Sequence, residues 1–224
     1  MKPRKWIVAV TLTLGLAGLA AGAASYVLAQ GGGGGSDSAR LARVLNAPNP
    51  FPEVVATVNG QPISGTALAR RVEILRMNYE DGLLTGRPGE GQLVADALDA
   101  LIRNELLVQA AKERGVWPTQ EEVIAQARRL KEAVLQLPIG SPEREAALRL
   151  WEEQGVTVDE IDSDPTVLEG LARELATGRV TSDLGRPPPG SPTDIDAHRA
   201  AVSGFVDTLR AEAKIDVYVA TATE

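Results

Sequence analysis

The sequence predicts a mainly α-helical domain whose two ends are tied together by a short pairing of β-strands, preceded by one apolar N-terminal helix. Three observations carry this. Leu93–Lys112 holds apolar residues at 93, 94, 98, 101, 102, 106, 107 and 108, a helical spacing wider than a single stripe, so this helix should be largely surrounded by protein. Alternating segments stand near the two ends of the chain: Val54, Ala56 and Val58 on one face, and Ile215, Val217 and Val219 between Asp216 and Tyr218. Composition supplies the third. Apolar residues make up 44% of the chain and aromatics only 4%, so the core is built from Leu, Val, Ile and Ala, as in helical proteins.

The bulk numbers exclude several functions. With no cysteine there are no disulfides, thiolate metal sites, cysteine nucleophiles or lipidated cysteine anchors. The net charge is −7, and Lys2, Arg4 and Lys5 are the only charges among the first 30 residues. The remainder therefore carries 20 basic and 30 acidic residues, net −10, and has no basic field to neutralise nucleic-acid phosphates.

Residues 1–29 read as a targeting segment. A basic start is followed by Trp6–Ala29, 24 uncharged residues and about 36 Å of helix, enough to cross a hydrocarbon core of about 30 Å. Either it is a cleaved signal, with Val27 and Ala29 before a cut at Gln30, or it stays as a membrane anchor with its basic end in the cytoplasm. Its length and the tether after it favour the anchor. Both readings place the rest of the chain outside the cytoplasm. Residues 30–52 read as a linker: Gly31–Gly35 is flexible, and Asn46-Ala-Pro-Asn-Pro-Phe-Pro is stiffer and extended.

The domain itself is expected over residues 53–219. Asn59-Gly60 after Val54–Val58 is the pair that a type I′ hairpin turn prefers, and Ile63 begins the return. Ser64 or Thr66 can cap a helix carrying Leu68, Val72, Leu75 and Tyr79. Residues 81–91 form a loop that exposes Leu83 and Leu84. The central helix, from Leu93 to Lys112, ends at a Gly115 C-cap, and Thr119 with Glu122 makes the capping box of the next one. That helix shows Val123, Ala127, Leu130, Val134 and Leu137 until Pro138. Ser141-Pro142 opens another, with Ala147, Leu148 and Trp151 inward. Gly155 breaks it. Asp164-Pro165 starts a helix bearing Val167, Leu168, Leu171 and Leu175; Leu184–Asp194 is a proline-rich loop; and a last helix over Asp194–Glu212 shows Val202, Phe205 and Leu209.

Three patches together resemble a known family. The central LI-x-x-x-LL-x-Q-A-A-x-x-x-G-V, with its following capped helix, is similar to the N-terminal domain of SurA-type and PrsA-type secretory chaperones. VVATVNGQPIS over Val54–Ser64 is similar to the family's entry strand and turn, and FVDTLRAEAKIDVYV over Phe205–Val219 to its returning segment. The resemblance implies a helical chaperone domain that binds unfolded or newly exported polypeptides. Family members commonly carry a parvulin-type prolyl isomerase domain before the returning segment. Here that place holds only the 11 residues Leu184–Asp194, and His198 is the sole histidine, so isomerase activity is not expected.

No other catalytic, metal or cofactor motif is expected. His198 reads as a surface or capping residue. The acids at 159, 160, 162 and 164 lack the central glycine and terminal glutamate of a calcium loop and read as a solvated helix start. The candidate polypeptide-binding residues are Met77, Leu83, Leu84 and Trp151. The expected function is that of a membrane-tethered, non-enzymatic chaperone outside the cytoplasm, with unfolded polypeptides and the membrane as partners and no nucleic acid. The alternative is a dedicated assembly module for one envelope partner.

Overall fold

The computed structural model describes residues 43–44, 46–153, 155–182, 184 and 195–219. The expected N-terminal helix over 1–29, the linker up to residue 42 and residues 185–194 of the proline-rich loop lie outside the described residues. Among the described residues no helix is long and apolar enough to cross a membrane.

Strand β1, Val54–Val58, turns through Asn59 (φ 51°) and Gly60 (φ 81°) into β2, Gln61–Ser64. Both turn residues lie in the left-handed region, as a type I′ turn requires. A bulge between Val54 and Ala56 shifts the β1–β2 register, and Val55, Ala56 and Val58 are all buried. The closing strand β3, Ile215–Val217, pairs antiparallel with β1 and completes a sheet of order β2-β1-β3. The expected pairing of the two chain ends is present, although β3 stops at Val217 rather than Val219.

Among the described residues six helices follow one another between β2 and β3: α1 (Gly65–Glu80), α2 (Glu90–Glu113), α3 (Gln120–Gln136), α4 (Pro142–Glu153), α5 (Pro165–Ser182) and α6 (Ile195–Glu212). The Ser64 hydroxyl accepts from the Ala67 amide and caps α1. α2 begins three residues before the expected start, at Glu90, whose carboxylate pairs with Arg76 across the loop. Half of its 24 residues are buried, and it packs against α1, α5 and α6. Gly115, with φ 67°, ends the α2 region, and the Thr119–Glu122 capping box starts α3. Asp164 Oδ1 accepts from the Thr166 and Val167 amides at 2.9 Å each and caps α5. A single 3₁₀ turn, Val158–Glu160, stands between α4 and α5.

Packing divides into two cores. The first gathers the sheet, α1 and α2 with Ala176 and Val180 of α5 and Val206 of α6. The second gathers Val123, Ala127 and Val134 of α3, Ala147 and Trp151 of α4, Ile161, and Val167 and Leu171 of α5. α5 therefore serves both, and Trp117 packs against both.

The segment before β1 is not free of the domain. Arg43 donates two hydrogen bonds to the Glu80 carboxylate, at 2.6 and 3.0 Å, and pairs with the buried Glu73; Val44 is buried beside it. Phe51 packs against the first core. The Pro52 carbonyl oxygen comes within 2.1 Å of where a Cβ on Gly65 would stand, so only glycine fits there. From Arg43 onward, the linker expected over 30–52 is a strap laid on α1.

Candidate polypeptide-binding surface

The four residues singled out for polypeptide contact fall into two groups. Met77 and Trp151 are buried, Trp151 completely (0% exposed), and neither offers a surface to a partner. Met77 belongs with Ala69 and Glu73 to a second buried row on α1, four residues apart and away from the Leu68–Val72 stripe. Its neighbour in that row, Glu73, is held by Arg43 of the strap and by Arg76. Trp151 fills the centre of the second core. Leu83 and Leu84, in contrast, are exposed in the loop between α1 and α2. That loop is fastened to the last turn of α1: the Leu83 and Leu84 amides both donate to the Asn78 carbonyl, at 2.9 and 3.1 Å.

Two further apolar outcrops were missed. At the α3–α4 turn Ile139 is 90% exposed and Leu135 stands open beside it. The Arg144 guanidinium donates to the Leu135 and Leu137 carbonyls at 3.0 Å each, and the Ser141 amide to the Pro138 carbonyl at 2.9 Å, so the turn is fixed. A signal existed in the sequence: Ile139 is a large apolar residue bracketed by Pro138 and Gly140 and belongs to no helical stripe. The other outcrop lies on the sheet edge, where Val217 is 46% and Tyr218 56% exposed. Their alternation predicts a strand, but nothing in it says that this strand is the outermost one.

Polar groups bind the elements that carry these surfaces. The Lys214 amide donates to Asn59 Oδ1 and Asn59 Nδ2 to Gln109 Oε1, both at 2.8 Å. Gln109 Nε2 in turn donates to the Val58 carbonyl and to Glu105, and Arg173 joins Glu105 to Glu169. This relay runs from the β3 entry through the hairpin turn and α2 to α5. Arg179 pairs with Glu122 at 2.6 Å. That bond, joined by the Thr119 amide, holds the Glu122 carboxyl down at about 2. Burial alone pushes the Glu174 carboxyl above the usual carboxylate range. His198 Nδ1 meets the Leu184 carbonyl at 2.5 Å, which makes it the donor that joins the ends of the α5–α6 connection. Among the described residues no group of three or more His, Cys, Asp or Glu side chains is placed to hold a metal ion.

The arrangement combines a small bulged sheet, a largely buried α2 and exposed apolar turns. A family model described as SurA-like N-terminal domain matches residues 4–138, more than half of the chain. The chain belongs to the SurA-like N-terminal domain family. Comparison with curated proteins and with solved structures finds no match. Within the described residues the SurA-like match covers the strap, the hairpin, α1, α2 and α3. The elements that close the sheet and complete the second core, α4 to α6 and β3, follow it in the chain.

Proposed function

We propose that this SurA-like chain is an ATP-independent, non-enzymatic chaperone that binds unfolded or newly exported polypeptides outside the cytoplasm. It is held at the membrane by the apolar segment Trp6–Ala29. The observation that carries the reading is the presentation of large apolar side chains on hydrogen-bonded turns, in a member of a family of chaperone-type or protein-interaction modules. Apolar contact is non-directional and tolerates many client sequences, and fixed turns lose little conformational entropy on binding. The absence of isomerase activity belongs to the same proposal. It is supported by the single histidine of the chain, whose ring is engaged by a backbone carbonyl.

Aggregation suppression tests the reading. The full chain, incubated with two unrelated unfolded clients, should reduce light scattering without nucleotide, and a variant with Leu83, Leu84 and Ile139 all changed to Ser should do so less. Equal scattering with and without the protein would overturn the proposal. A pull-down that recovers one stoichiometric envelope partner, with no effect on either client, would favour the dedicated assembly module instead. Proline-limited refolding should not be accelerated.

A further inference from the structure

The hydrogen-bonding pattern of the sheet leaves one edge open. Asn59 donates through its amide to the Lys214 carbonyl at 2.8 Å, and Tyr218 through its amide to the Val55 carbonyl at 2.9 Å. With Thr57 opposite Asp216, residues 214, 216 and 218 thus turn their backbone groups inward to β1. Ile215 and Val217 stand opposite Val58 and Ala56 in the alternate positions, so their N–H and C=O groups point away from β1. Among the described residues none supplies these groups with a hydrogen bond. The opposite edge is different. β2 contains Pro62, which has no N–H, and its other residues besides Ile63 are exposed and polar.

We propose that the outer edge of β3 is the backbone-reading part of the client site, adding an extended polypeptide segment to the sheet as a fourth strand. This rests on the polypeptide-binding reading above and specifies it. The occupant follows from the chemistry and size of the edge. Outward N–H and C=O groups recognise an extended backbone whatever its sequence, while Val217 offers an apolar contact on one face and Tyr218 with Asp216 a polar one on the other. The favoured segment therefore alternates apolar with neutral or basic residues. β3, Ile215–Val217, is only about 10 Å long, and a strip one strand wide falls far below the roughly 1,000 Å² of a stable protein interface. A single flexible segment fits this edge better than a second folded copy.

Fluorescence anisotropy with the full chain and a labelled eight-residue peptide of alternating Val and Thr tests the proposal. The peptide should bind. Its analogue N-methylated at every central residue should not, whatever any protein variant does. Val217→Pro deletes an outward N–H without touching a bond to β1, and should weaken binding about fivefold, the loss of roughly one hydrogen bond. Equal binding of the N-methylated peptide, equal binding by a folded Val217→Pro variant, or no binding of the unmodified peptide would overturn it. So would sedimentation showing a dimer that Val217→Pro dissociates, since a second copy would then occupy the edge. Loss of peptide binding with aggregation suppression retained would remove this edge but leave the chaperone reading standing.

Discussion

At Gly65 a single added carbon would meet backbone. The Pro52 carbonyl oxygen would lie 2.1 Å from its Cβ, and the Gly65 amide already donates to the Glu53 carbonyl at 2.9 Å, so the strap cannot shift cheaply. Gly65→Ala should cost about 1–3 kcal/mol, the usual range for overpacking, and a denaturant melt reads it directly. Glu122 gives a pH signature. Its carboxyl is depressed from 4.5 to about 2 by Arg179 and Thr119, so its stabilising contribution is present above 4.5 and lost as the pH falls through 2. Glu122→Gln keeps the capping geometry and loses the charge. The variant should be less stable than the parent at neutral pH and converge with it below pH 2, as acid melts followed by circular dichroism would show. Unchanged stability at neutral pH would mean that the Arg179 pair is idle.

At the scale of elements, the α5–α6 connection offers the sharpest test. From sequence alone His198 reads as a surface or capping residue whose removal is near neutral. In the structure its ring is half-buried and bonded to the Leu184 carbonyl, so His198→Ala should cost about 0.5–1.5 kcal/mol and speed amide exchange at the start of α6. Identical melting of variant and parent would restore the simpler reading. What was legible here was local. The Asn59-Gly60 turn, the Ser64 cap, the Thr119–Glu122 box, Gly115 and the Asp164-Pro165 start are each specified within about four residues, and each was readable. Met77 was misread because its burial depends on the second row of α1, whose neighbour Glu73 is held by Arg43, 30 positions earlier in the chain. The docked strap and the open edge of β3 are likewise set by partners distant in sequence. Amphipathic pattern says that a face is covered, not what covers it.

For the molecule as a whole, the two cores are joined by one continuous helix. α5 places Val167 and Leu171 in the second core and Ala176 and Val180 in the first, and Arg173 and Arg179 fasten it to α2 and α3. Loss of either core would strip α5 of half of its packing. Trp151→Ala, made at the fully buried centre of the second core, should cost about 3–5 kcal/mol and still give a single transition. Its amide exchange should rise at Val55–Val58 in the first core as well as around the lost ring. Two separated transitions would show that α5 does not couple them.

The sheet also sets a timetable for folding. The side chains of Thr57 and Asp216 meet across 159 positions of sequence, and β1 is the first element of the described domain while β3 is its last. Synthesis proceeds at about 5–20 residues per second, so β1 waits at least several seconds for its second neighbour. Throughout that interval β1 itself forms the open edge of the hairpin, and Val58 and Ala56 lack the strand that later stands opposite them. Contacts of such long range are characteristic of slow closure. A domain of this kind spends its own first seconds exposing an unpaired strand edge, in the condition of the chains it is proposed to protect.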